Sequence, residues 1–209
     1  MSLLWTPPSD GEPIPWERIE ASLRRAARSE HPFKISRRIP ESSRRAAVAV
    51  VLWGDAEGAS KVVLVQRGFG APQHPGEIAF PGGMAEPFDR DLPATARREL
   101  REELGVTDIW EIGCFSDGVA KARVRFTPVL FRWEAKEPRF TVDAELEGAL
   151  MLPLAPLMDA PWSVEILDRQ GLALQVPRLE LDLGDGEATP LWGATAFVLK
   201  AWLDALAAS

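Results

Sequence analysis

The chain has 209 residues, 46% of them apolar and 26% charged, with a formal net charge of −7. That length suits one domain with a sizeable core, and the composition is that of an ordinary globular protein rather than a disordered one. The negative balance argues against nonspecific binding to nucleic acid or to anionic membranes, both of which attract basic surfaces. The single cysteine, Cys114, cannot form an intrachain disulfide, which fits a reducing compartment. It reads as a small buried hydrophobe. The two histidines, His31 and His74, are too few for a histidine metal cage. The start MSLLWTPPSDGEP lacks a basic n-region, and no apolar run reaches about 18 residues, so the chain reads as cytoplasmic with no membrane partner.

Residues 1–13, with Pro7, Pro8, Ser9, Asp10, Gly11 and Pro13, read as a flexible leader. Residues 14–209 read as one domain. Trp16, Ile19, Leu23 and Ala26 recur at helical spacing, with Arg24, Arg25 and Arg28 outside, which predicts a helix over 15–29. Pro32 ends it. Arg37, Arg38, Arg44 and Arg45 follow, either as a solvated basic loop or as a grip on phosphate oxygens. Ala46 to Trp53 is nearly all apolar, which predicts a strand buried on both faces. Lys61 to Arg67 is the next strand, able to pair with it as a hairpin. A Gly- and Pro-rich stretch then holds a short strand at Ile78 to Phe80, and Pro81-Gly82-Gly83 turns the chain.

A helix is predicted from Leu92 to Leu104, with Asp91 as N-cap, Pro93 in its first turn and Gly105 as its stop. Beyond it, Arg123 to Glu134 alternates Val124, Phe126, Pro128 and Leu130 with Arg123, Arg125 and Thr127, a half-buried strand pattern. Trp162 to Leu167 and Leu172 to Leu183 are further strands, the latter kinked or at an edge because of Pro177. Thr195, Leu199, Trp202, Leu203 and Leu206 mark a closing helix. The tryptophans and phenylalanines are assigned to the core. Strands mixed with a few helices, and one Gly-rich loop entering a helix, suggest an α/β sandwich.

The helix over 92–104 carries Glu99, Glu102 and Glu103. At about 100° per residue these fall on one side of it. Carboxylates so crowded repel, and a hard divalent ion, which takes oxygen ligands, removes that penalty. The alternative is a solvated acidic face with Arg97, Arg98 and Arg101 as ion-pair partners.

Arg98-Glu99-Leu100-Arg101-Glu102-Glu103-Leu104-Gly105-Val106 fits R-E-U-x-E-E-x-G-U at every fixed position, where U is a bulky apolar residue. It resembles the second half of the Nudix hydrolase signature. In the common pattern, Arg90 stands where the first Glu belongs and Met84 where the Gly belongs. Gly83 is one residue early, so the loop is one residue longer. That longer loop, with Asp89 and Asp91 in it, is similar to the coenzyme A pyrophosphatase branch. So are three further segments: Val65-Gln66-Arg67 through His74-Pro75-Gly76-Glu77 to Phe80-Pro81-Gly82-Gly83, Ala94-Thr95-Ala96 before Arg98-Glu99, and Leu191-Trp192-Gly193-Ala194-Thr195-Ala196. Where the branch has Leu-Arg, this chain has Ala71-Pro72, and Pro cannot replace a phosphate-binding guanidinium. Gln66 and Gly68 also replace the usual Lys or Thr and Ser.

The resemblance implies the Nudix fold, a mixed β-sheet between α-helices, and metal-dependent hydrolysis of a diphosphate linkage in a small molecule. For the branch, the substrate is coenzyme A, cut to 4′-phosphopantetheine and adenosine 3′,5′-bisphosphate. Another nucleoside diphosphate derivative (ADP-ribose, a nucleotide sugar, a nucleoside triphosphate) is the alternative, and a non-catalytic binding module is a third reading. Mg²⁺ or Mn²⁺ would be held by Glu99 and Glu103, with Glu102 as ligand or base and a main-chain carbonyl near Gly83. Arg98 would pair with Asp89 or Asp91 and orient the loop. Glu145 is the candidate general base, with Glu147 behind it; the bland reading of Glu145 is a helix-start acid. Arg67, His74, Glu77 and Arg45 are substrate-binding candidates, although His74 is equally a structural loop residue. The sequence leaves the oligomeric state open, a homodimer included.

Overall fold

The computed structural model describes residues 4–8, 11–26, 44–70, 74–120, 124–169, 172–184 and 186–208. Its elements run β1 (Leu4–Trp5), α1 (Trp16–Ala26), β2 (Arg44–Gly54), β3 (Ala59–Arg67), β4 (Ile78–Ala79), β5 (Gly82–Met84), α2 (Leu92–Leu104), β6 (Ile109–Cys114) and β7 (Gly118–Ala120). There follow β8 (Val124–Trp133), β9 (Leu146–Pro153), α3 (Leu154–Met158), β10 (Ser163–Arg169), β11 (Leu172–Asp182), β12 (Ala188–Leu191) and α4 (Gly193–Ala207).

The apolar run in β2 is buried on both faces, as its composition requires. Side chains alternate along a strand, so Ala47, Ala49 and Val51 enter one core while Val50 and Leu52 enter the other. β2 runs parallel to β8 from Arg44 opposite Val124 to Trp53 opposite Trp133. It is antiparallel to β3 from Val51, opposite Val63, to Gly54, opposite Ala59. β9 flanks β3 and β6 flanks β8, so the sheet is mixed.

Further along, β2 and β3 no longer pair with each other. β3 takes β4, with Val65 opposite Ala79, and β2 takes β5, with Ala47 opposite Gly83. The chain from Ile78 to Met84 is therefore wedged between two diverging strands. The expected turn at Pro81-Gly82-Gly83 is instead the start of a strand. A Cβ on Gly82 would stand 2.4 Å from Ala47 O, so this close approach requires glycine.

Helix α2 covers one face of the sheet with Leu92, Ala96, Leu100 and Leu104. Helices α1, α3 and α4 cover the other with Ile19, Leu157, Leu199 and Trp202 among others. Trp202 Nε1 donates to Ser22 Oγ at 3.0 Å, and Ser22 Oγ donates to Ile19 O at 2.6 Å, so these two buried side chains between α1 and α4 are satisfied. The protein is thus α/β, a mixed sheet between helices. A smaller sheet centres on β11, which pairs with β10 up to Arg178 and with β12 from Leu179. Pro177 sits at that change of partner, where a missing N–H is tolerated.

Several expectations need correction. Leu4 and Trp5 pair with Glu180 and Leu181 of β11, so that part of the leader is tied to the fold. β8 is not half-exposed: Phe126 to Phe131 is buried on both sides, because it lies inside the sheet between β2 and β6. Cys114 is exposed. Phe69, Phe88 and Trp110 are exposed rather than core. The first helix spans Trp16–Ala26; the predicted positions 27–29, Pro32, Arg37 and Arg38 lie outside the described residues, as do Ala71 and Pro72.

Candidate active site

Helix α2 begins and ends where its local chemistry dictates. Asp91 Oδ1 accepts the Ala94 N–H at 2.8 Å, Pro occupies the first turn, and Gly105 closes the helix with φ 69°. Within it, Arg98 joins four groups through five hydrogen bonds. Its Nε and Nη2 grip Asp89 at 3.1 and 3.0 Å, Nη1 bonds Glu99 and Glu102 at 2.8 and 2.9 Å, and Nη2 also reaches Met84 O at 2.9 Å. The pair is enclosed, with side-chain exposures of 11% for Arg98 and 5% for Asp89. Arg98 is therefore more than the ordinary surface ion pair that a charged helix face would suggest. Of the two aspartates proposed as its partner, Asp89 takes the role, and Asp91 serves the helix cap. The Arg98 hydrogen bonds hold the Asp89 carboxyl down at about 2, and the same contacts raise the Arg98 guanidinium above its usual value. Thr95, buried beneath, also donates to Asp89 at 2.9 Å. The loop from Met84 to Asp91 is thus fixed from the helix.

Glu103 lies in a contrasting environment. Burial pushes its carboxyl from 4.5 up to about 7, and the Glu99 charge adds to the rise. One of its oxygens accepts the Gly82 N–H at 3.1 Å. Arg67 offsets part of the effect, while Asp143 opposes ionisation further. Burial also raises Glu99, whose carboxylate rests on Gly83: a Cβ there would stand 2.4 Å from Glu99 Oε1. The double glycine of the loop is needed twice, once against the β2 backbone and once against this carboxylate.

The donors gathered here are all oxygens, the set that a hard divalent cation takes. A half-buried Glu103 beside Glu99 gains most from such a charge. Among the described residues no three acidic, histidine or cysteine side chains are arranged to hold an ion as they stand. Glu99 and Glu102 share Nη1 of Arg98 instead, so a cation competes with that guanidinium for them.

The other predicted residues separate into two groups. Arg67, at the end of β3, is near enough for its charge to act on Glu103. Its N–H donates to Glu77 O, and its carbonyl accepts from Gly76. His74, with φ 57°, and Glu77 pair with each other, Nδ1 to Oε2 at 2.8 Å; neither bonds the helix carboxylates among the described residues. Arg45 is exposed on β2, its carbonyl accepting the Ala85 N–H at 2.9 Å. Glu145 is not a helix-start acid. It lies exposed in the turn before β9, and its carbonyl accepts the Gly68 N–H at 2.8 Å. Glu147 is exposed on β9. Sequence reasoning missed Asp143, whose N–H donates to Glu103 O at 2.9 Å. No local pattern marks it, because only the folded chain brings this turn to the end of α2.

The NUDIX domain model matches residues 43–170. Nudix hydrolase 22, chloroplastic, of Arabidopsis thaliana is 31% identical over 161 residues, covering 75% of this chain and 53% of the relative. The Nudix hydrolase NudL of Yersinia pestis is 29% identical over 163 residues, covering 76% of this chain and 78% of the relative. The chain thus spans about half the length of the Arabidopsis protein that it matches. Among solved structures, a C. elegans Ap4A hydrolase binary complex superposes with a TM-score of 0.45 at 19% identity, covering 56% of this chain and 84% of that one. With the signature residues seated on one helix and its glycine loop, and a family model matching more than half of its length, the chain belongs to the Nudix family.

Proposed function

We propose that the protein is a divalent-metal-dependent pyrophosphohydrolase that cuts the diphosphate linkage of a nucleoside diphosphate derivative. The observation that carries this reading is Glu103: a half-buried carboxylate, raised to about 7, held against Gly82 and beside Glu99. Such an arrangement is unfavourable for a protein that only needs a folded helix. It also argues against the non-catalytic binding module.

Glu99, Glu103 and Glu102 would hold Mg²⁺ or Mn²⁺, with the Gly83 carbonyl beside them. The ion supplies neutralisation of the diphosphate oxygens and a lowered pKa for the attacking water. In the hydrolysis, water oxygen bonds to one phosphorus, the bridging P–O bond breaks, and the water gives up a proton. Glu145 is the proposed acceptor, with Glu102 and Glu147 as the alternatives. Arg98 positions the loop by holding Asp89, Glu99 and Glu102. Arg67 and Arg45 carry positive charge to the substrate side, and His74 with Glu77 shapes the adjoining loop.

Coenzyme A, or a derivative, is the proposed substrate, cut to 4′-phosphopantetheine and adenosine 3′,5′-bisphosphate. The support is the resemblance of the lengthened loop, the Arg67 to Gly83 segment and Leu191 to Ala196 to the coenzyme A pyrophosphatase branch. Pro72, in place of that branch's Arg, favours the second reading, another nucleoside diphosphate derivative such as ADP-ribose. A panel of coenzyme A, ADP-ribose, a nucleotide sugar and a nucleoside triphosphate, each with Mg²⁺ or Mn²⁺, tests both. Turnover of coenzyme A with the highest kcat/KM supports the first reading. A far higher kcat/KM for ADP-ribose replaces it with the second, and no turnover of any compound overturns the enzyme itself.

A further inference from the structure

The parallel register places Arg45 of β2 directly beside Arg125 of β8. Registered residues on neighbouring strands lie about 4.8 Å apart and share a face of the sheet. On β2 that face continues through Ala47, Ala49 and Val51, and on β8 through Val129 and Phe131, all in the core that α2 covers. Both arginines are therefore on the side of the sheet that carries the carboxylate helix. Like charges set side by side across a strand pair are unfavourable, and Asp117 relieves this pair only in part. Asp117 Oδ2 stands 3.6 Å from Arg125 Nε, too far for a hydrogen bond, and Asp117 Oδ1 is taken by the Thr127 hydroxyl at 2.6 Å. Arg125 Nε is buried without a hydrogen-bond partner among the described residues. Arg45 is exposed, and no carboxylate pairs with it among the described residues.

The pair is also close to the glycine loop. Ala85, just past β5, donates to Arg45 O. Gly83, on which Glu99 rests, is opposite Ala47, two residues or about 7 Å along β2 from Arg45. We propose that Arg45 and Arg125 form a clamp for a second phosphoryl group of the substrate: a phosphate monoester on the nucleoside, additional to the diphosphate that is cut. Two guanidinium groups match the oxygens of a phosphate dianion, which supplies countercharge beyond that of Asp117 and an acceptor for the unsatisfied Nε–H. Arg125 is then a specificity-determining residue. This inference rests on the proposed pyrophosphohydrolase activity.

The test is a ratio. The kcat/KM for coenzyme A divided by that for its 3′-dephosphorylated form is measured for the intact chain, Arg45→Gln, Arg125→Gln, Arg125→Lys and, as a distant control, Arg139→Gln. In parallel, the Kd for adenosine 5′-monophosphate divided by that for adenosine 3′,5′-bisphosphate is measured by calorimetry. The intact chain should prefer the phosphorylated partner in both. Each Gln variant should lower the preference about tenfold, the loss typical of a charge-assisted hydrogen bond. Lys should restore part of it, and Arg139→Gln should leave it intact. No preference in the intact chain, or an equal preference in the Gln variants, overturns the clamp. If neither coenzyme compound turns over but the binding ratio still falls in the Gln variants, the catalytic reading fails and the clamp stands.

Discussion

The two ends of the signature place carboxylates in opposite situations. At the loop end, Asp89 meets a bidentate guanidinium and is held at about 2. At the far end of the same helix, burial pushes Glu103 up to about 7. The difference shows how one motif divides its labour. Arg98 neutralises the loop and fixes its shape, whereas Glu103 is left with a backbone N–H and neighbouring negative charge. The first region is organised for stability, and the second, on the proposed reading, for a cation.

Exchanging Glu103 for Gln should sharpen this contrast most. Groups that hydrogen-bond to a metal ligand are worth about 10–100-fold, so loss of a proposed direct ligand should lower kcat/KM for the preferred diphosphate substrate at least about a hundredfold. Metal-free stability should move the other way. A carboxyl raised in the folded state binds its proton more tightly there than when unfolded, so folding is penalised as pH rises from about 4.5 to about 7. Glu103→Gln removes that penalty, and urea unfolding at pH 8 should show a gain of about 1–3 kcal/mol. A variant both inactive and less stable would contradict the division.

Breaking the loop end should do the reverse. Arg98→Ala strands Asp89, and removing one partner of an enclosed pair costs about 3 kcal/mol. Asp89 is lowered in the folded state, so its contribution is present above its unfolded value of 3.8 and is lost as pH falls towards about 2. The acid limb of the unfolding curve should flatten in Asp89→Asn. The smallest effect belongs to the cap: Asp91→Ala should cost about 1 kcal/mol by the same measurement and leave substrate preference unchanged.

Helix α2 was legible because its limits are set locally, by Asp91 and Gly105. The buried β2 run and its hairpin partner β3 were legible from the sequence, although its neighbours β5 and β8 were not. β5 escaped detection because Gly82 to Met84 becomes a strand only through β2, and β8 read as half-exposed because alternation cannot reveal a partner on each edge. The same limit applies to the site. Arg98 and Asp89 are nine residues apart and within reach of pattern reasoning. Asp143 arrives from another strand connection, and the Arg45 and Arg125 pairing exists only in the register of the folded sheet. Exposure of Phe69 and Phe88 was likewise unreadable, since an aromatic residue carries no mark of where it lies.

On the proposed reading, Glu103 is the point where the fold takes its cation. Calorimetric titration of Mn²⁺ into the intact chain and into Glu103→Gln, at pH values from 6 to 8, tests it most directly. With a ligand carboxyl at about 7, affinity in the intact chain should weaken towards about tenfold per pH unit below 7 and level off above it, with protons released on binding. Glu103→Gln should bind far more weakly and lose that dependence. Equal affinity in the two chains, with the same pH profile, would contradict the account.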